Sequence, residues 1–348
     1  MLLSHFDRRV LATLKDSALK RIKPTPRIAV GGNCQSFGIA YAMKLLNVQA
    51  TIHRYPMETR SKVSANMLVR ALRTYDHVFL QDFDERRLRG GSSGWVRDQL
   101  DNATWYPTLL FSGYHPDSIF VSAGPEYGSF VWGPIGQHHS AIALFAYRTG
   151  LSPDSALRLY QREVFEALGY FDLWDAAKAE FFHLTKFYSL NLEGDFIRWT
   201  RRGCFMYSIN HPKPYVLFDF ARRLLEKAGV AFEPVDFDHY ALDDFARDTI
   251  FPVYPEIAEH YGVHGGYVFK APEYVRFKIG AVWNLRDFLS ESYRVYKRHD
   301  SDKLINERVQ GWLDSPEIST FLKEFSRGTS PSMKSRDSYF ECNAAAGL

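Results

Sequence analysis

The segment Arg27–Leu46 constrains the fold of this chain more than any other. Arg27-Ile28-Ala29-Val30 is a short β-branched run directly after Pro24-Thr25-Pro26, and it predicts a strand. Gly31-Gly32-Asn33 predicts a turn. Ser36–Leu46 then carries apolar groups at Phe37, Ala40, Met43 and Leu46, the spacing of a helix. The unit recurs downstream. Thr51–Tyr55 alternates like a second strand, Val63–Tyr75 reads as a helix, His77-Val78-Phe79-Leu80-Gln81 as a third strand and Trp105–Ser112 as a fourth. Between the last two, the glycine- and serine-rich Arg89–Gly94 reads as a flexible loop. Strands alternating with helices build a parallel sheet covered by helices.

After residue 134 the pattern becomes helical. Ser152-Pro153-Asp154 is a strong helix start: a cap, a first-turn proline and an acid at the positive end of the dipole. Leu157–Leu168 continues that helix to Gly169, and Asp172–Phe187, Tyr215–Lys227, Pro255–Tyr261 and Trp283–Arg298 follow. The expected class is α/β: a Rossmann-like or SGNH-like parallel sheet in the N-terminal part with a largely helical C-terminal part. Four stretches are expected: a polar lead-in over 1–26, an α/β domain over 27–134, a mainly helical part over 135–327 packing on it, and a Ser-rich disordered tail over 328–348.

The 348 residues carry a formal net charge of only +3, so no bulk electrostatic case exists for nucleic acid. Cys34, Cys204 and Cys342 are too few and too scattered for a disulfide framework or a zinc cluster, which points to a reducing compartment. The N-terminus turns charged at Asp7-Arg8-Arg9, too early for a secretory signal, and no run of about 18 apolar residues offers a transmembrane segment. A cytoplasmic protein, possible as a homo-oligomer, is expected.

Ligands of open α/β sheets bind beyond the carboxyl ends of the strands, where strands hand over to helices. Cys34 stands at that place after the first strand. Backbone N–H groups at a helix start favour thiolate and could also receive an oxyanion during acyl transfer. Gly32, Asn33 and Gln35 flank the thiol as candidate oxyanion or substrate donors. The bland alternative is an inert cysteine in a tight turn. SGNH-type hydrolases place a serine in a Gly-Asp-Ser turn after their first strand, and Gly32-Asn33-Cys34 resembles that turn with a thiol.

A thiol nucleophile needs a base. Of 12 histidines, four lie in segments built like a site: His115 after the fourth strand, His138 and His139 in Gly133-Pro134-Ile135-Gly136-Gln137-His138-His139-Ser140, and His211 in Asn210-His211-Pro212-Lys213. Each could equally brace a loop. No C-x-x-C spacing occurs and His138 and His139 are adjacent, so no metal is expected. Arg198-Trp199-Thr200-Arg201-Arg202, Arg54–Lys62 and Arg86-Arg87-Leu88-Arg89 are basic runs. Such runs are usually solvated faces, but arginines around Trp199 could hold a phosphate-rich nucleotide, guanidinium on phosphate and ring on base. Neither G-x-G-x-x-G nor a Walker A motif is present.

Four blocks in order resemble the WcbI-type capsular polysaccharide biosynthesis proteins: Gly32-Asn33-Cys34-Gln35; Gly133-Pro134-Ile135-Gly136 followed by His139-Ser140; Asn210-His211-Pro212-Lys213; and Pro252-Val253-Tyr254-Pro255-Glu256-Ile257 leading to Gly262. The resemblance implies coenzyme A or acetyl-coenzyme A as cosubstrate and O-acetylation of a sugar or glycan acceptor. It carries His139 across as a catalytic candidate beside Cys34, His211 and His115, with Gly136 and Asn210 at the substrate, and leaves His138 open. Ser36, Lys213, Arg198, Arg201 and Arg202 are the candidates to hold the coenzyme. The rival expectations are an SGNH-like esterase or thioesterase, in which water replaces the sugar, and a non-catalytic protein that binds coenzyme A or a glycan.

Overall fold

A computed structural model describes residues 4–16, 25–57, 62–83, 87–124, 129–273 and 281–329. The expected tail from 328 therefore lies almost wholly outside the described residues. The chain divides into two compact units, neither continuous in sequence. The first takes residues 1–109, 181–201 and 212–244; the second takes 110–180, 202–211 and 245–348.

The first unit is built on a four-stranded sheet. Its elements are α1 (His5–Asp16), β1 (Arg27–Gly32), α2 (Gln35–Leu46), β2 (Thr51–Pro56), α3 (Ala65–Leu72), β3 (His77–Gln81), α4 (Ser93–Arg97) and β4 (Ala103–Tyr106), joined by the later helices Glu193–Arg201 and Pro214–Lys227. The strand order is β2-β1-β3-β4, and each neighbouring pair is parallel. The α/β expectation holds here. β1 and β3 are buried beyond their first residues, as strands with covered faces must be. The helix Pro214–Lys227 packs on α2 at Gly38, where an added Cβ would stand 2.4 Å from Leu217 Cδ1.

The fourth strand is Ala103–Tyr106, earlier than the expected Trp105–Ser112. Pro107 removes the next donor, and Phe111 N–H bonds Ile209 O instead, at 2.8 Å, inside the second unit. The N-terminal lead-in contains a real helix, α1, whose Asp7 is buried and accepts from the backbone of Lys62 and Val63.

The second unit is mainly helical with small antiparallel pieces. Ser118–Phe120 pairs with His138–Ser140, and Ser122–Ala123 with Leu304–Ile305. The expected helix from Ser152 to Leu168 is two helices, Pro153–Leu157 and Arg162–Ala167. Between them Tyr160 turns inward, and its hydroxyl meets Ser140 Oγ at 2.6 Å. The helix expected to begin at Trp283 begins at Leu285, because Val282–Asn284 pairs with Val268–Lys270 and Asn284 then caps it. A buried carboxylate organises the interior. Asp117 accepts from Tyr170 Oη at 2.7 Å, Tyr254 Oη at 2.6 Å and the Ile142 amide at 3.0 Å. The last of these places the acid at the start of helix Ala141–Arg148, where the dipole favours it.

Candidate functional site

In the first unit the carboxyl ends of β1, β3 and β4 converge on the cysteine turn. Gln81, the last residue of β3, accepts the Asn33 amide at 2.7 Å. Tyr106, the last of β4, donates its hydroxyl to Gly31 O at 3.0 Å. Gly32 is required by this approach: a Cβ there would stand 2.3 Å from Gln81 Oε1 and 2.9 Å from Tyr106 Oη. Asn33 Nδ2 donates to Thr108 Oγ1 at 3.0 Å, and Asn33 Oδ1 accepts the Gln35 amide at 3.0 Å. Gln35 is fully buried and pairs with Leu109 in both directions, donating to its carbonyl at 2.8 Å and accepting its amide at 2.9 Å. Cys34 sits on this brace as the N-cap of α2, half-buried and in relaxed helical geometry (φ −53°, ψ −34°).

Arg54 of β2 completes the turn. Its Nε donates to Ser36 Oγ at 2.9 Å and a terminal nitrogen reaches Asn33 O at 3.4 Å. Ser36 Oγ donates in turn to Asn33 O at 2.6 Å. A guanidinium is thus fixed at the positive end of α2, and both favour a negative group there.

The second unit gathers His115, His138 and His211, all buried. His138 lies between two hydroxyls, Nδ1 3.2 Å from Ser118 Oγ and Nε2 3.3 Å from Ser208 Oγ. Ser208 spends its hydrogen on Asn210 Oδ1 at 3.1 Å, so it accepts from His138 Nε2–H. Burial, then the nearby His211 and His115, hold His138 neutral well below the ordinary histidine range. The His211 ring stands edge-on to His138 with centroids 5.5 Å apart, and stacks on Phe245 at 4.4 Å. Its Nδ1 donates to Thr249 O at 3.4 Å. A carbonyl only accepts, so the proton is on Nδ1 and Nε2 carries a lone pair, the tautomer of a general base. Burial lowers the His211 pKa, and the Asp248 carboxylate and Thr249 carbonyl act against it.

The profile of the family described as "Polysaccharide biosynthesis enzyme WcbI" matches residues 27–233. The chain belongs to the WcbI family. No curated protein matches it by sequence. Among solved structures it is similar to a WcbI, described as a novel polysaccharide biosynthesis enzyme in its native form without a disulfide bond between coenzyme A and one of its cysteines. That similarity has a TM-score of 0.58 at 15% identity and covers 87% of this chain and 99% of the other. It concerns the fold.

Within this WcbI family member the sequence candidates divide. Gly32, Asn33, Cys34, Gln35 and Ser36 lie together in the first unit. His115, His138, His211 and Asn210 lie together in the second. His139 is close in sequence but not in role. It is fully buried, its Nε2 donates to Val131 O at 2.9 Å, and its Nδ1 accepts from Tyr296 Oη at 3.0 Å. Both nitrogens are spent on the core, and burial pushes its pKa down to about 4. Gly136 has φ +86° and closes the two-residue turn Pro134-Ile135 against Gly133, whose missing Cβ makes room for the His139 ring. These glycines brace His139.

The amides of Asn33 and Gln35 hold the turn together, which is a different use from the expected oxyanion donors. Trp199 offers no stacking face: it is 1% exposed, and its indole donates to Asp219 at 2.8 Å. Arg198 pairs with buried Asp195, which also gathers Arg222 and Arg223. Arg201 ends the same helix, Arg202 begins a segment of the second unit, and Lys213 caps the helix Pro214–Lys227. Arg54 and Gln81 were missed as supports of the turn. Arg54 fell within a basic run and Gln81 closed a strand, but the contacts come from residues 18 and 48 positions away. Among the described residues no His/Cys/Asp/Glu cluster could hold a metal.

Proposed function

We propose that this protein is an acetyl-coenzyme A-dependent O-acetyltransferase acting on a sugar of a capsular or surface polysaccharide. The carrying observation is Cys34, a half-buried cysteine at a braced strand-to-helix turn, in a member of a polysaccharide biosynthesis family. Support comes from the structural neighbour, whose description names coenzyme A and one of its cysteines, without a disulfide bond between them.

In this reading the Cys34 thiolate takes the acetyl group: a thioester forms at Sγ, and the bond between acetyl carbon and coenzyme sulfur breaks. The acceptor hydroxyl then attacks the thioester carbon, its proton passes to a histidine, and Cys34 leaves as thiolate. Among the buried histidines of the second unit, His211 has the tautomer of a base, with its lone pair on Nε2. His139 does not, because a proton on Nδ1 would cost it the bond from Tyr296. The positive start of α2 with Arg54 favours the negative charge that develops at each stage.

The test is product analysis. Incubation with acetyl-coenzyme A and a panel of surface glycans should yield a sugar heavier by one acetyl group, detected by mass spectrometry. Release of free acetate alone would make the protein a thioesterase. Tight coenzyme binding with neither product would make it a binding protein.

A further inference from the structure

The outer face of α2 breaks a rule of surface helices. Its buried residues are Gln35, Ser36, Ile39, Ala42, Met43 and Leu46. Phe37 and Ala40, two of the apolar groups whose spacing marks the helix, are only half-buried. With Tyr41 and Lys44 they follow the i, i+3, i+4, i+7 spacing of a single helix face. A surface helix normally gives that face to polar groups, yet here it presents two rings with a small residue beside them.

This face is one wall of a groove of about 570 Å³, within the range of small-molecule sites. The other wall comes from the turn after α2 and from β2, including Gln49, Thr51 and Arg54. Among the described lining residues two are cations and none is an acid. Lys44 donates to Val48 O at 2.6 Å and Ala50 O at 2.8 Å, which anchors its charge at the groove. Arg54 joins the groove to the cysteine turn: the same guanidinium that bonds Ser36 lies 5.9 Å from the Phe37 ring centroid.

The chemistry of this lining is that of a sugar site for an acidic residue. Aromatic rings cover the C–H face of a pyranose, the amide and hydroxyl of Gln49 and Thr51 match sugar hydroxyls, and two fixed cations match a carboxylate. We infer that the groove along Phe37, Tyr41, Lys44 and Arg54 holds a uronic-acid residue of the acceptor glycan, next to the Cys34 turn. The inference rests on the transferase reading for the word acceptor, and on the groove alone for the binding.

The experiment is calorimetric titration of the full-length protein with a uronate-containing oligosaccharide, its carboxyl-reduced neutral counterpart, and coenzyme A. Two variants, Gln49→Glu and Thr51→Glu, each put a negative charge at an exposed lining position away from the turn. The uronate ligand is expected to bind more tightly than the neutral one, to weaken with salt, and to lose about tenfold in affinity in either folded variant, with coenzyme A affinity unchanged. A fall in coenzyme A affinity would assign the groove to the coenzyme, and unchanged uronate binding in both variants would remove the proposal. Turnover is not read, so uronate binding without acetyl transfer would leave the groove standing and retire the transferase reading.

Discussion

At the scale of single residues, His139 shows what a motif can hide. It falls in a block shared with the family pattern, and its sequence setting gives it the look of a base. Its two partners, Val131 and Tyr296, lie 8 and 157 positions away, and only their arrival in space turns it into a core histidine. His211 could not be ranked above it from sequence, because Thr249, which sets its tautomer, is 38 positions distant. Trp199 misled in the same manner: its arginine neighbours face outward while the indole faces in. The buried neutral His139 has a measurable consequence. Its pKa is lowered from about 6.5 unfolded to about 4 folded, so the unfolded state binds the extra proton and stability falls as pH drops across that window. The loss is about 3 kcal/mol at most. Burial pushes Asp117 upward, which acts in the opposite sense, but a variant that keeps Asp117 cancels it. Denaturant unfolding between pH 6.5 and 4 should show a shallower dependence in His139→Gln than in the unaltered protein; equal slopes would mean that His139 titrates normally.

At the scale of elements, the parallel unit was legible because each of its signals is local. The β-branched run, the glycine turn and the helical spacing of Arg27–Leu46 all lie within 20 residues, and β1 and α2 appear where they were expected. The errors share one cause, a distant contact that overrides a local pattern. Tyr160 breaks a helix to reach Ser140, and Phe111 leaves β4 to pair with Ile209. On α2 the spacing gave the helix correctly, while Phe37 and Ala40 stay half-buried on its outer face. The handover from β1 to α2 depends on Gly32. Gly32→Ala would drive a Cβ into Gln81 and Tyr106, displacing the acceptor of the Asn33 amide. Its expected cost is about 1–3 kcal/mol, the range for overpacking a filled site. A denaturant midpoint shift with unchanged slope would record this, and an unshifted midpoint would show that Gln81 moves aside freely.

At the scale of the whole molecule, the chain alternates between its two units, and sequence order alone could not reveal that. Residues 181–201 and 212–244 belong with the N-terminal sheet, so the helical second half is shared between both units. The four family-like blocks acquire distinct physical meanings. The first forms the cysteine turn, the second packs His139 into the core, and the third carries His211 with its tautomer set. The fourth supplies Tyr254, whose hydroxyl bonds the buried Asp117. Family membership follows from residues 27–233, while the chemistry proposed above rests on Cys34. The most direct measurement is acetyl transfer from acetyl-coenzyme A to a glycan acceptor by Cys34→Ala, a half-buried substitution that leaves the bonds of Asn33 and Gln35 in place. A nucleophilic thiol predicts that turnover falls by at least about a hundredfold with the fold intact, a barrier increase of about 3 kcal/mol. Full transfer activity in the folded variant would contradict the account.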